Sequence, residues 1–279
     1  MAENRDVLYH YTKQSGLLGI LESDSIWATK IQYLSDYSEY HLALDLARKI
    51  LQRHLDRERN EKEHHKAQCL LDSILTIQNM NICVCSFSEK RDVLSQWRGY
   101  AGGTAGYSVG FHVSHLRQQA KAEGFDLVKC VYEEPEHEKL VAELVDETML
   151  QDFNTVPYVD DPESPGTFKV LLTDGGFALR LAQLAPRLKS EAFREEDEWR
   201  LVSTRGISVK RMSFRSSGSM LTPFFKLPLG TDKAKYLHSV TVGPTPYAPY
   251  AEEATRTLLA HWGVAGAVEV LSSSVPYRG

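Results

Sequence analysis

The sequence predicts an α+β protein built on a single mixed β-sheet with helical insertions, and three observations carry that prediction. Short runs with two-residue alternation recur from one end of the chain to the other, among them VLYHY, SIWATK, NICVCSFS, YSVGFHV and LHSVTVG. Stretches with helical spacing lie between them, such as SGLLGIL and AEEATRTLLAHWG. No linker rich in Gly, Ser and Pro separates two self-contained halves, so residues 1–279 read as one domain.

Taken in order, residues 7–11 read as a strand, Ser15-Gly16 as a turn, LLGIL as a short helix and residues 25–30 as a second strand. Asp36, three residues before Glu39, has capping-box spacing ahead of a periodic stretch. Residues 40–80 form a helical insertion; RHLDRERNEKEHHK at its middle carries almost no apolar residue, which predicts a helical hairpin with a solvated bend that projects from the core. NICVCSFS then reads as a buried strand, LSQWRGY as a short helix or turn, and YSVGFHV as a strand reached through the tight glycine link AGGTAG. A helix ending at Gly124 leads into the strand FDLVKCVY. Two helical stretches flank the loop VPYVDDPESPG before the strand at EDEWRLVS, and LHSVTVG, a helix and VEVLSSSVPYR complete the chain.

With 42% hydrophobic and 25% charged residues the composition is that of a folded globular protein. The N-terminus is polar, and no run approaches 18 uninterrupted apolar residues, which predicts a soluble, cytoplasmic protein with no membrane partner. Four scattered cysteines, Cys69, Cys83, Cys85 and Cys130, suit free thiols in a reducing compartment. A net charge of −5 argues against a surface dominated by phosphate contacts, leaving nucleic acid as a substrate and not as a bulk ligand. His64, His65 and Cys69 lack paired ligands at zinc spacing, so no metal is expected. Neither Gly-x-Gly-x-x-Gly, a Walker loop nor Gly-x-Ser-x-Gly occurs, so any NAD is bound without a Rossmann turn.

Four groups of residues could carry chemistry. His10-Tyr11-Thr12 stands at the end of the first strand, where side chains can meet a ligand or form a satisfied structural pair. Ser86 and Ser88 alternate with Phe87, so both hydroxyls point to one face. Trp97 and Tyr100, three apart, could make an aromatic wall for a flat ring or simply pack in the core. In REEDEWR, strand geometry puts Glu196, Glu198 and Arg200 on one face; such charges on an interior strand must serve a ligand or each other.

Together, LYHYT, SGLLGIL, SIWATKIQYLSDYSEY, CSFS, SQWRGYAGGTAGYSVGF, EEDEWRLV and the terminal SSSVPYR resemble a bacterial family described only as a domain of unknown function. The resemblance spans nearly the whole chain but not residues 45–78, and Ser35 departs from the Asn expected before Asp36. The order of the pieces is also similar to the ADP-ribosyltransferase superfamily: a His or Arg on the first strand, a strand with small hydroxyl residues, and a late strand with Glu or Glu-x-Glu. Here these are His10, Ser86 with Ser88, and Glu196-Asp197-Glu198. HYT followed by LLGIL and an extended segment is similar to the transferases that modify nucleic acids.

That second resemblance implies an ADP-ribosyltransferase-like sheet and NAD as substrate. His10-Tyr11-Thr12, Ser86 and Ser88 would line its site, with His10 and Thr12 on the adenosine half and Tyr33, Trp97 or Tyr100 against nicotinamide. Glu198 would oppose the positive charge that develops on the ribose, and Glu196 would act as general base toward the acceptor. Arg98 or Arg200 would pair with the pyrophosphate, unless Arg200 holds Glu198 in place. The function so implied is transfer of ADP-ribose to a nucleic acid or protein by a bacterial toxin or antiphage effector, or hydrolysis of NAD without an acceptor. From another class comes a ligand-sensing or interaction module that kept the fold, with the 40–80 insertion as the surface for a partner protein.

Overall fold

The computed structural model describes residues 6–34, 37–100, 106–151, 158–160, 168–170, 176–218 and 220–276. The contact of Asp36 with Glu39, Ser35, the glycine link at 101–105, residues 161–167 and the last three residues lie outside them.

The chain opens with β1 (Val7–Lys13), α1 (Gln14–Ser23) and β2 (Ser25–Lys30), the turn between α1 and β2 being made by Asp24 in the left-handed region at φ 46°. The central strand is β3 (Cys83–Ser88), followed by α4 (Leu94–Tyr100), β4 (Gly106–His112), α5 (Val113–Glu123) and β5 (Phe125–Lys129). Gly124, at φ 76°, caps α5 where the sequence places its end. The late strands are β8 (Glu198–Ser203), β9 (Met212–Ser217), β10 (Met220–Pro228), β11 (Leu237–Val242) and β12 (Glu269–Ser272).

These ten strands form one open mixed sheet, ordered β12-β11-β4-β1-β3-β2-β10-β9, with β8 paired to β3 and β5 paired to β8. Only β11 and β12 run parallel; the other pairings are antiparallel. The sheet forks at β3. Val84 pairs with both Thr29 and Val202, and Ser88 with both Tyr9 and Glu198. A strand has two edges, so β8 occupies one while β1 and β2 share the other, each at its own end. The loop expected at VPYVDDPESPG contains β6 (Tyr158–Asp160), which pairs with β7 (Phe168–Val170) in a separate two-stranded sheet.

Alternation along β3 and β8 sends side chains into two different cores. Cys83, Cys85, Phe87, Trp199 and Leu201 join the first with Leu8, Val109, Phe111 and Leu259 of α9 (Ala248–His261). Val84 and Val202 join the second, under α2 (Tyr37–Arg57), α3 (Glu61–Ser73), α6 (Glu134–Leu150) and α7 (Phe177–Leu184).

Residues 40–80 are helical, and the exposed stretch Glu58–Asn60 makes the bend. They do not project, however. Ala43, Leu44, Ala47 and Leu51 of α2 pack with Ala67 and Leu70 of α3 inside the second core, because the apolar residues on either side of the charged stretch keep helical spacing.

Gly243, just past β11, sits where a Cβ would lie 2.9 Å from the Gly106 carbonyl oxygen and 2.9 Å from the Trp97 ring. Gly243→Ala is expected to destabilise the protein by about 1–3 kcal/mol through overpacking, read as a lower urea midpoint with an unchanged slope.

Candidate functional site

Four charged side chains meet at the head of β8. Lys189 Nζ donates to Glu196 Oε2 at 2.6 Å and also to Glu198 Oε2. Arg200 donates from Nε to Glu198 Oε1 at 2.6 Å and from Nη2 to Oε2 at 3.1 Å, a bidentate grip, and from Nη1 to the Pro186 carbonyl at 2.8 Å. The group is closed to solvent, with exposures of 0% for Lys189, 3% for Glu198, 4% for Arg200 and 9% for Glu196. Two acids face two bases, so the cluster is formally neutral, which is what permits its burial. Burial pushes the Glu198 carboxyl up, but Arg200 and Lys189 outweigh it and bring it down to about 2.

The backbone around the cluster is equally fixed. Residues 191–196 form a 3-10 turn that ends at Asp197 in the left-handed region, φ 40°, so Glu196 precedes the strand instead of belonging to it. Ser88 Oγ donates to the Glu196 carbonyl at 2.6 Å and accepts from Lys90 N–H at 2.9 Å, while Glu89 N–H donates to the Asp197 carbonyl at 3.1 Å. The Glu198 amide donates to the Tyr132 hydroxyl at 2.8 Å. Lys90 Nζ forms an ion pair with Asp197 at 2.8 Å.

The residues singled out in the sequence divide between the two faces of the sheet. Ser86 and Ser88 pair with Arg200 and Glu198, so these four point to one side. Half-buried His10 approaches Cys85 Sγ at 3.8 Å and tilts toward the Phe87 ring at 5.8 Å, which places it on the other side. Its Nδ1 bonds the Ser86 carbonyl at 2.9 Å, and burial pushes its pKa down. Thr12 shares that side, its hydroxyl lying over Gly16, where a Cβ would collide with it.

Tyr11 is buried on the side of Ser88. Its hydroxyl donates to the Lys90 carbonyl at 2.9 Å and accepts from Val93 N–H at 3.0 Å, and its ring meets Trp97 edge-on at 4.8 Å. Trp97 is therefore a packing residue, its Nε1–H donating to Asp92 at 2.7 Å. Arg98 is exposed and Tyr100 half-buried on the same helix. Tyr33 follows β2, whose next residue, Ile31, bonds Ile82 at the opposite end of β3 from Ser88, roughly 20 Å away at strand rise. Tyr33 and Trp97 thus lie at opposite ends of β3.

Lys189 escapes the sequence reading because it follows the apolar run LAQLAPRL with no pattern of its own. The signal that points to it is indirect: two carboxylates against one arginine leave a buried charge that needs a second base. Among the described residues no group of three or more His, Cys, Asp or Glu is placed to hold a metal ion, and no helix is long and apolar enough to cross a membrane.

Comparison with known families adds one finding. Residues 96–201 match the family described as Protein of unknown function (DUF2971). The resemblance to an uncharacterised family is thereby shown over that segment. The DUF2971 match runs from the residue before Trp97 to the residue after Arg200, so it contains the whole ion cluster and none of His10, Ser86 or Ser88. No curated protein and no solved structure matches the chain.

Lys189→Met removes one base from the closed cluster and leaves an uncompensated carboxylate. The expected loss is about 3–5 kcal/mol at neutral pH, measured by chemical denaturation. The folded Glu198 pKa lies below its ordinary 4.5, so its contribution is fully present above pH 4.5 and lost as pH falls toward about 2. The acid limb of the stability profile should accordingly be shallower in Glu198→Gln than in the unmodified protein.

Proposed function

We propose that this protein is an ADP-ribosyltransferase-type enzyme that takes NAD as substrate and transfers ADP-ribose to a nucleic acid or protein. The observation that carries the reading is Glu198, a carboxylate held ionised at the head of β8 and paired across the ladder with Ser88 of β3. β1, which brings His10, is bonded to the other edge of that same strand. β3, which carries Ser86 and Ser88, thus lies between the strands that carry His10 and Glu198.

Loss of nicotinamide leaves positive charge on the ribose, and an ionised carboxylate nearby stabilises that charge more in the transition state than in the ground state. Glu198 serves this role once Lys189 Nζ leaves it for Glu196, the more open carboxylate, so that the developing cation replaces the ammonium it displaced. Arg200 keeps Glu198 oriented through its bidentate grip, and Ser88 keeps the preceding turn in place. Glu196, relieved of Lys189 in the second half of the reaction, accepts the proton of the incoming acceptor.

A second reading is favoured by a specific observation: the carboxylate oxygens of Glu198 are bonded to Lys189 and Arg200, and His10 faces the other core. On that reading the charges serve each other, and the protein is a ligand-binding or interaction module without turnover.

Nicotinamide release, NAD affinity and acceptor labelling, measured on folded variants matched by melting curve, divide the two. Glu198→Gln should slow nicotinamide release about 10²-fold or more with little change in NAD affinity, since it removes charge opposing the ribose cation. Glu196→Gln should depress labelling of RNA, DNA or protein more than nicotinamide release. NAD binding without nicotinamide release in the unmodified protein, whatever the acceptor, would establish the module instead.

A further inference from the structure

A cavity of about 330 Å³ lies beside the ion cluster, between strands β5 and β8 and helices α6 and α7. None of Lys189, Glu196, Glu198 or Arg200 lines it. Its volume falls at the lower end of the range for small-molecule sites. The chemistry of its wall is divided. Val128 and Val202 on the strands face Leu144 on α6, an apolar lining for a short carbon chain. Asp126 and Glu143 stand exposed at the rim. Arg187 also lines the cavity; its Nε is buried and finds no hydrogen-bond partner among the described residues.

A buried guanidinium N–H without an acceptor is costly, and native proteins satisfy such donors with protein, water or ligand. The other arginine of the cavity, Arg180, is already paired with Glu147 of α6. Arg187 is therefore the cation with donor capacity to spare, and a carboxylate is the acceptor its planar fork matches best. A purely anionic ligand fits the rim badly, because its far end would meet Asp126 and Glu143. A purely cationic one leaves Arg187 unmatched.

We infer that this cavity is a binding site for a small zwitterion of the amino-acid type, with its carboxylate on Arg187, its carbon chain on the apolar wall and its ammonium toward Asp126 and Glu143. The site stands independently of the transferase reading, since neither NAD nor an acceptor enters it.

The test titrates the full chain by calorimetry with 6-aminohexanoate, hexanoate and 1-aminohexane, three probes sharing one carbon chain. The zwitterion should bind at least about tenfold more tightly than either singly charged analogue, the worth of one charge-assisted contact. Arg187→Met should abolish that advantage over 1-aminohexane, while Arg187→Lys, which keeps the charge and loses the fork, should retain part of it. Asp126→Asn with Glu143→Gln should weaken the two amine-bearing probes and leave hexanoate unchanged or tighter. Melting curves establish that each variant is folded. Absence of binding for all three probes, equal affinities among them, or unmodified 6-aminohexanoate affinity in folded Arg187→Met would overturn the assignment.

Discussion

One ammonium group sets the arrangement around the head of β8. Lys189 Nζ binds two carboxylates of opposite standing, Glu198 on the strand and Glu196 in the turn before it. A buried carboxylate pair without it would repel, and one of the two would have to be protonated. The segment that carries Lys189 is held in turn: the Pro186 carbonyl accepts a hydrogen bond from Arg200, and Val131 bonds both the Arg187 carbonyl and the Lys189 amide. Charge neutrality and backbone closure thus meet in the same short segment, residues 186–189.

The same neutrality shapes what the site can do. A carboxylate that faced an open cleft would be ready for a substrate; one enclosed by two cations is ready only after an exchange. Buried ion pairs add little net stability over apolar packing of equal volume, so keeping one has to be explained by something other than stability. A catalytic carboxylate kept ionised gives one explanation, a fixed orientation of β8 gives the other, and the two readings of this protein separate along that line.

Much of the fold was legible because it rests on periodicity. The alternation of CVCSFS and EWRLVS placed both strands and put Ser86 with Ser88, and Glu198 with Arg200, on one face of each; that the two strands pair is a long-range fact with no local signal. What was not legible came from long-range partners. Trp97 and Tyr100 are three apart on a helix, as the spacing implies, yet only the neighbour Tyr11 on β1 shows that Trp97 is enclosed. His10 and Ser86 are joined through a backbone carbonyl, which carries no sequence signal, and their side chains part to opposite faces. The apolar residues flanking the charged middle of residues 40–80 decide its packing, although the charges are the more conspicuous pattern in the sequence. Left-handed Asp197, which takes Glu196 off the strand, belongs to the same class, because a positive φ at a non-glycine residue is imposed by its surroundings.

The fork at β3 also bears on how this chain can vary over time. Its six residues are held in register by β8 along one edge and by β1 and β2 at the two ends of the other. Inserting or deleting a single residue would turn Cys85 and Phe87 toward the ion cluster and bring Ser86 and Ser88 into the apolar core, and no one neighbour could slip to compensate. Change in this strand is thereby confined to substitution. The exposed bend at Glu58–Asn60 meets no such restriction, so differences in length among related chains should accumulate there and be absent from β3.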